Sequence, residues 1–126
     1  DSFCLIFALQ GELGAGKTQF TKGLGEALGI KETITSPTFI FIKEYQTSSA
    51  KHQVLYHIDT WRMQSEKDLL ALGFKEMLKP GNVIAIEWLQ KVKPVLEKAA
   101  KKKNVCLVWV TIEILSETKR RIKYKI

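Results

Sequence analysis

The apolar run Phe3-Cys4-Leu5-Ile6-Phe7-Ala8-Leu9 is followed, after Gln10, by Gly11-Glu12-Leu13-Gly14-Ala15-Gly16-Lys17-Thr18. These two segments decide the fold. The run has the length and the β-branched and aromatic content of a strand buried on both faces. The glycine-rich stretch satisfies the phosphate-loop pattern in full. Its glycines let the backbone curl so that successive N–H groups turn toward one anion. From Lys17 to Leu28 the apolar residues Phe20, Leu24, Ala27 and Leu28 recur at helical spacing, and Gly29 is the stop signal. Strand, loop and helix in that order present the positive helix end to phosphate. Lys17 is expected to reach the β- and γ-phosphates, and the Thr18 hydroxyl to hold Mg²⁺. Gly23 and Gly25 inside this helix each cost about 1 kcal/mol, which close packing on a sheet can offset.

Further along, Thr38 to Tyr45 and Gln53 to Asp59 read as strands joined by the polar hairpin loop Gln46 to His52. Ser65, with Asp68 three residues on, opens a short helix as a variant capping box. Gly73 and Pro80-Gly81 punctuate the chain between that helix and the next strand. Val83 to Ile86 is a short buried strand, and Pro94 starts a helix whose apolar stripe is Val92, Val95, Leu96 and Ala99. Val105 to Leu115 is a long strand. Ile122, Tyr124 and Ile126 alternate with Arg121, Lys123 and Lys125, which predicts a half-exposed final strand. Strands alternating with helices predict an α/β fold: one P-loop NTPase-like domain over 1–126, its mixed sheet parallel in the centre, with a β-hairpin and flanking helices.

A phosphate loop needs a carboxylate near the metal, usually at the tip of a buried strand. Asp59 ends Leu55-Tyr56-His57-Ile58, and Glu87 ends Val83-Ile84-Ala85-Ile86. An acid at such a tip is costly unless paired or metal-bound. One of the two can hold the metal through water while the other orients the attacking water; the residues alone do not assign the roles. His57 lies two residues before Asp59 and so shares its face, where a lone histidine reads as a packed neighbour rather than a ligand. Trp61, Trp88 and Trp109 read as core residues, with Trp88 a candidate to line the site because it follows Glu87. Thr35, Ser36 and Thr38 flank Pro37, which holds Ser36 extended; nucleotide-sensing segments often sit at such a place, but read alone this stretch is an ordinary turn.

Composition bounds the rest. The chain has 126 residues, 45% hydrophobic and 26% charged, a length for one domain and a usage that rules out wholesale disorder. No apolar run approaches the roughly 18 residues of a membrane span, and Phe3 to Leu9 lacks the flanks of a signal peptide, so no membrane association is expected. Cys4 and Cys106 lie in separate apolar runs and read as reduced core residues of a cytoplasmic protein. No Cys/His cluster has zinc spacing. The guanine-reading Asn-Lys-x-Asp segment and an Asp-x-x-Gly after Asp59 are absent from the sequence, which excludes switch GTPases. The net charge of +7 is uneven: residues 1–90 carry 9 basic and 10 acidic residues, residues 91–126 carry 11 and 3. The basic C-terminal part raises a phosphate-bearing partner as a question.

Gly11 to Thr18, then Ser36-Pro37-Thr38-Phe39, then His57-Ile58-Asp59-Thr60-Trp61-Arg62, then Ile86-Glu87-Trp88 together resemble the bacterial tRNA threonylcarbamoyladenosine biosynthesis ATPase family, TsaE (formerly YjeE). The resemblance runs from about residue 5 to residue 115. It implies a small cytoplasmic Mg²⁺-dependent P-loop ATPase that binds ATP and ADP. Such an ATPase supports the TsaB–TsaD complex, which installs threonylcarbamoyl on the adenosine beside the tRNA anticodon. By motif, Gly11, Glu12, Leu13, Gly14, Ala15, Gly16, Lys17 and Thr18 would bind phosphates and metal. Thr38 would sit in the switch-like segment. Asp59 would be the Walker B acid, Glu87 the second acid near Mg²⁺ and water, and Trp88 its neighbour at the nucleotide. Thr60 and Trp61 stand where the family shows an aliphatic residue and Tyr. Family members carry a helix and strand before the phosphate-loop strand, so N-terminal elements are expected to be missing from this sequence. Two other classes compete. A P-loop small-molecule kinase would need an arginine-bearing lid, and the chain has three arginines, Arg62, Arg120 and Arg121. A basic RNA-binding module would use residues 91–126; this basic part reads first as a solvated face, and tRNA is expected as a partner indirectly or through it.

Overall fold

The apolar run becomes strand β1, Cys4–Gly11, at the centre of a six-stranded sheet in the computed structural model, which describes residues 3–12, 15–37, 41–48 and 52–126. Helix α1 (Lys17–Ala27) follows the loop. The hairpin is β2 (Ile42–Gln46) and β3 (Val54–Asp59); the first residues expected for its leading strand, 38–40, lie outside the described residues. Helices α2 (Glu66–Ala71) and α3 (Phe74–Met77) lead to β4 (Val83–Glu87), and α4 (Lys93–Ala100) leads to β5 (Val105–Ile114) and β6 (Arg120–Lys125).

The sheet order is β2-β3-β4-β1-β5-β6. The inner four strands are parallel, and β2 and β6 are antiparallel edges. The expected mixed sheet with a parallel centre is therefore what the chain forms. Strand alternation sends Ile6, Ile58, Ile84, Ile86 and Leu107 to a core with Leu69, Phe74, Val92 and Leu96 of the later helical segments. It sends Leu9, Leu55, Val83, Ala85, Val110 and Ile112 to a second core under α1, with Phe20 and Leu24 packed against it. Helices thus cover both faces, which is why the inner strands read as continuous apolar runs.

Local signals act largely as expected. The Ser65 hydroxyl accepts from Lys67 N, while the Asp68 carboxylate accepts from Gln64 N, one residue earlier than a reciprocal capping box would have it. Helix α3 has no counterpart among the expected elements: it is one turn, started by Gly73 at φ 87° and anchored by buried Phe74 and Met77. Cys4 and Cys106 are free thiols, and burial pushes Cys4 up to about 11.

Two expectations need correction. Trp61 is 68% exposed rather than a core residue, because it lies in the turn after β3. Strand β6 is exposed at every residue, not half-exposed: Ile122 and Tyr124 share the face of Val110 and Ile112 but lie at the sheet edge.

The glycines of this region differ in kind. A methyl on Gly11 would meet the Ile112 backbone carbonyl at 2.7 Å, where β1 and β5 run side by side. A methyl on Gly25 would run into the Ile34 side chain, so this glycine does allow close packing, whereas Gly23 is exposed with open space above it. Gly11→Ala is expected to cost about 1–3 kcal/mol, and Gly23→Ala to add about 0.5–1 kcal/mol, both read from urea unfolding midpoints. The same sign for both would contradict this packing.

Candidate nucleotide site

Three strand ends meet at one edge of the sheet. β1 runs into the glycine-rich loop, β3 ends at Asp59 and β4 at Glu87, and the register pairs Glu87 with both Leu9 and Asp59. Ligands of open α/β sheets bind at such carboxyl ends. Parity places the side chains: Leu55, His57 and Asp59 alternate onto the α1 face, as do Val83, Ala85 and Glu87.

At the loop, Ala15 N donates to Glu12 O, and Phe20 N donates to Gly16 O as α1 begins. Gly16 is at φ 110°, a conformation L side chains rarely adopt, and the space where its side chain would stand is open. Among the described residues no side chain caps α1, and its first turn holds no acid to offset the positive helix end. Thr18 lies in that first turn, half-buried. Leu13, Gly14 and Thr38 lie outside the described residues.

Lys17 donates to Gly11 O at 2.9 Å and sits 3.9 Å from Glu87 Oε1. The other Glu87 oxygen is 2.9 Å from His57 Nε2. His57 is completely buried, and its Nδ1 has no partner among the described residues. The tautomer that fits carries the proton on Nε2, donating to the carboxylate, because a bare lone pair on Nδ1 costs less than an unpaired N–H. The Glu87 backbone is held as well: its carbonyl accepts from both Thr60 N and the buried Thr60 hydroxyl, each at 3.0 Å. Glu87 is thus a buried acid with a cation near one oxygen and a hydrogen-bonding imidazole on the other. His57 is more than a packed neighbour; the signal for this was its two-residue offset from Asp59 on the face where a second acid also points.

Trp88 does not join this group. Its ring packs edge-on to Trp109, centroids 5.2 Å apart, in the core on the opposite face. One contact lay beyond sequence reasoning: Arg120 Nε donates to Ala15 O at 3.1 Å across 105 positions of chain.

The donor set fits a nucleotide with a hard cation. Thr18, Asp59 and Glu87 offer oxygens only, and among the described residues no three His, Cys, Asp or Glu side chains converge on a point. Magnesium held with phosphates needs one or two carboxylates rather than a protein cage.

Asp59 is half-buried, and its Oδ1 accepts from Trp61 N at 2.9 Å. Burial raises its carboxyl above the ordinary 3.8; nearby Glu87 adds to this, while the Trp61 N–H, Lys17 and His57 oppose it. A raised acid favours folding most when protonated, at pH below its ordinary value. That contribution is lost as pH rises through the folded value. Asp59→Asn keeps the acceptor for Trp61 and removes the ionisation. It is expected to melt above the wild type near neutral pH, with the gap closing as pH falls into the carboxylate range. Thermal melts across pH check this, and a variant melting lower at neutral pH would refute it.

Comparison with known proteins accords with this geometry. The profile of the family described as "Threonylcarbamoyl adenosine biosynthesis protein TsaE" matches residues 2–122. The chain is 45% identical over 83 residues to the tRNA threonylcarbamoyladenosine biosynthesis protein TsaE of Bacillus subtilis, covering 66% of this chain and 49% of that protein. It is 36% identical over 117 residues to the protein of the same name from Treponema pallidum, covering 93% and 78%. The crystal structure of Bacillus subtilis YdiB superposes with a TM-score of 0.59 at 28% identity, covering 98% of this chain and 68% of that one. The chain therefore spans about half the length of the Bacillus relative and over three quarters of the Treponema one. With nearly its whole length matched, the chain belongs to the TsaE family of threonylcarbamoyladenosine biosynthesis proteins.

Proposed function

We propose that this protein is a Mg²⁺-dependent P-loop ATPase that supports threonylcarbamoyladenosine formation on tRNA together with the TsaB–TsaD complex. The observation that carries the reading is the meeting of Lys17, Glu87, His57 and Asp59 beside the start of α1. Lys17 binds the β- and γ-phosphates, with the loop N–H groups and the α1 end sharing their charge. Thr18 and Asp59 would hold Mg²⁺, which supplies charge neutralisation between the phosphates when bound. Glu87, held by His57, orients the water that attacks the γ-phosphorus and accepts its proton, and ADP and phosphate leave. Such positioning and proton acceptance is worth roughly 10²–10⁴ in rate.

No acceptor enters this scheme, so phosphate is released to water rather than transferred to a small molecule. The chain's three arginines leave room for a partner to complete the charge on the transferring group. Among the described residues no helix is long and apolar enough to cross a membrane. The reading places the activity in the cytoplasm, where Cys4 and Cys106 stay reduced.

Lys17→Ala is expected to weaken ATP binding at least about 100-fold, measured by titration with a fluorescent ATP analogue. Glu87→Gln is expected to keep binding and lower phosphate release by about 10²-fold or more. Adding the TsaB–TsaD pair should raise ATPase activity of the unmodified protein without any small acceptor. Normal ATP binding by Lys17→Ala would end the phosphate-loop assignment, and absence of stimulation would end the partner-completed one.

A further inference from the structure

The β5–β6 hairpin runs on past the end of β1 and lies against the glycine-rich loop. Gly11, the last residue of β1, is paired with Ile112 of β5, and the turn beyond it returns the chain to Arg120 at the start of β6. Arg120 is the residue that joins the two. Its Nε donates to Ala15 O at 3.1 Å, and its Nη1 donates to Ser116 O at 2.8 Å and Lys119 O at 3.0 Å. The turn is itself ordered: the Ser116 hydroxyl accepts from Thr118 N and Lys119 N, and Leu115 N donates to Lys119 O. One end of the guanidinium is therefore fixed on a built turn and the other on the loop that precedes Gly16.

We propose that Arg120 is a positioning residue for nucleotide phosphate, acting through the Ala15–Gly16 peptide. In a trans peptide the carbonyl and the next N–H point in opposite directions, and no described peptide bond is cis. A guanidinium that holds Ala15 O toward the hairpin holds Gly16 N–H away from it, to the side on which a phosphate cradled by the loop would lie. Gly16 at φ 110° completes the bend that makes this orientation possible. A cation on the carbonyl also polarises the same peptide, which makes its N–H a stronger donor. The bonds described for Arg120 go to backbone carbonyls, so its described hold on the loop is through the Ala15 peptide. Its neighbour Arg121 points to the other face of β6, 4.0 Å from Glu113, and supplies a control of equal charge.

The inference rests on the phosphate-loop reading of the site, and the test separates the two. The affinity of the full chain for a fluorescent ADP derivative is measured for the wild type, Arg120→Ala, Arg121→Ala and Lys17→Ala, with thermal melts of each. Arg120→Ala is expected to bind ADP about tenfold more weakly, with KM for ATP raised in proportion and kcat changed less than threefold, while Arg121→Ala binds as the wild type. Equal binding by the Arg120 and Arg121 variants overturns the proposal, since the effect would then be one of charge in general or none. An intact fold with kcat lost and KM unchanged also overturns it. If Arg120→Ala does not fold, Arg120→Lys keeps the charge and one donor. It is expected to bind ADP a few-fold more weakly than the wild type, and undiminished binding again counts against the proposal. Undiminished binding by Lys17→Ala would instead remove the phosphate-loop reading itself.

Discussion

The constraint on which the site depends is the burial of one carboxylate. Among the described residues Glu87 is the only acid taken into the interior, at 9% exposure. A lone ionised carboxylate there would be costly by several kcal/mol. It is held by His57 on one oxygen and approached by Lys17 on the other. Each partner comes from a different element, so the acid can be kept only when β1, β3 and β4 are in register and α1 follows the loop. The polar cluster therefore ties the site's geometry to the correct assembly of the sheet. Truncating either partner would leave Glu87 worse off than replacing the whole cluster with apolar residues.

That same arrangement gives the two acids different environments. Asp59 and Glu87 are neighbours in the ladder, yet their surroundings differ. Asp59 is half-buried with one backbone N–H on its oxygen, and burial lifts its carboxyl. Glu87 is deeper and carries partners on both oxygens. Two carboxylates side by side repel unless a cation lies nearby, and Lys17 is the cation described beside them. On the function proposed above, the repulsion that remains is what a bound hard cation would relieve.

Much of this was legible in residues 3–18, because a buried strand, a glycine-rich loop and a helix each have local signatures. The tips of β3 and β4 were legible for a similar reason: an acid ending an apolar run is conspicuous. What could not be read was anything set by contact between distant segments. The His57–Glu87 bond needs the parity of two strands and their register together. The position of the Trp88 ring needed the knowledge that residue 88 continues the parity of Ile84 and Ile86, away from the site. Helix α3 is a single turn, too short to show a helical period. β6 misled for a different reason: its alternation is real, but alternation predicts burial only where another layer covers the strand, and an edge strand lies beyond the helices.

The charge distribution takes on a different meaning in three dimensions. The +8 of residues 91–126 is spread over α4 and the turns on either side of it, the turn before β6 and the β6 edge. On α4 the lysines avoid the buried positions of Leu96 and Ala99. On β6, Arg121 and Lys123 share Glu113 on the outer face, where basic side chains also discourage another strand from pairing with the edge. These charges are solvated and contribute little to the fold one by one. Arg120 differs from them because strand parity turns it to the α1 face, and the hairpin carries it past the end of β1. A single position along β6 thus separates a surface charge from one that bonds the loop, and the location of a basic residue, rather than the total, determines what it can do for an anion.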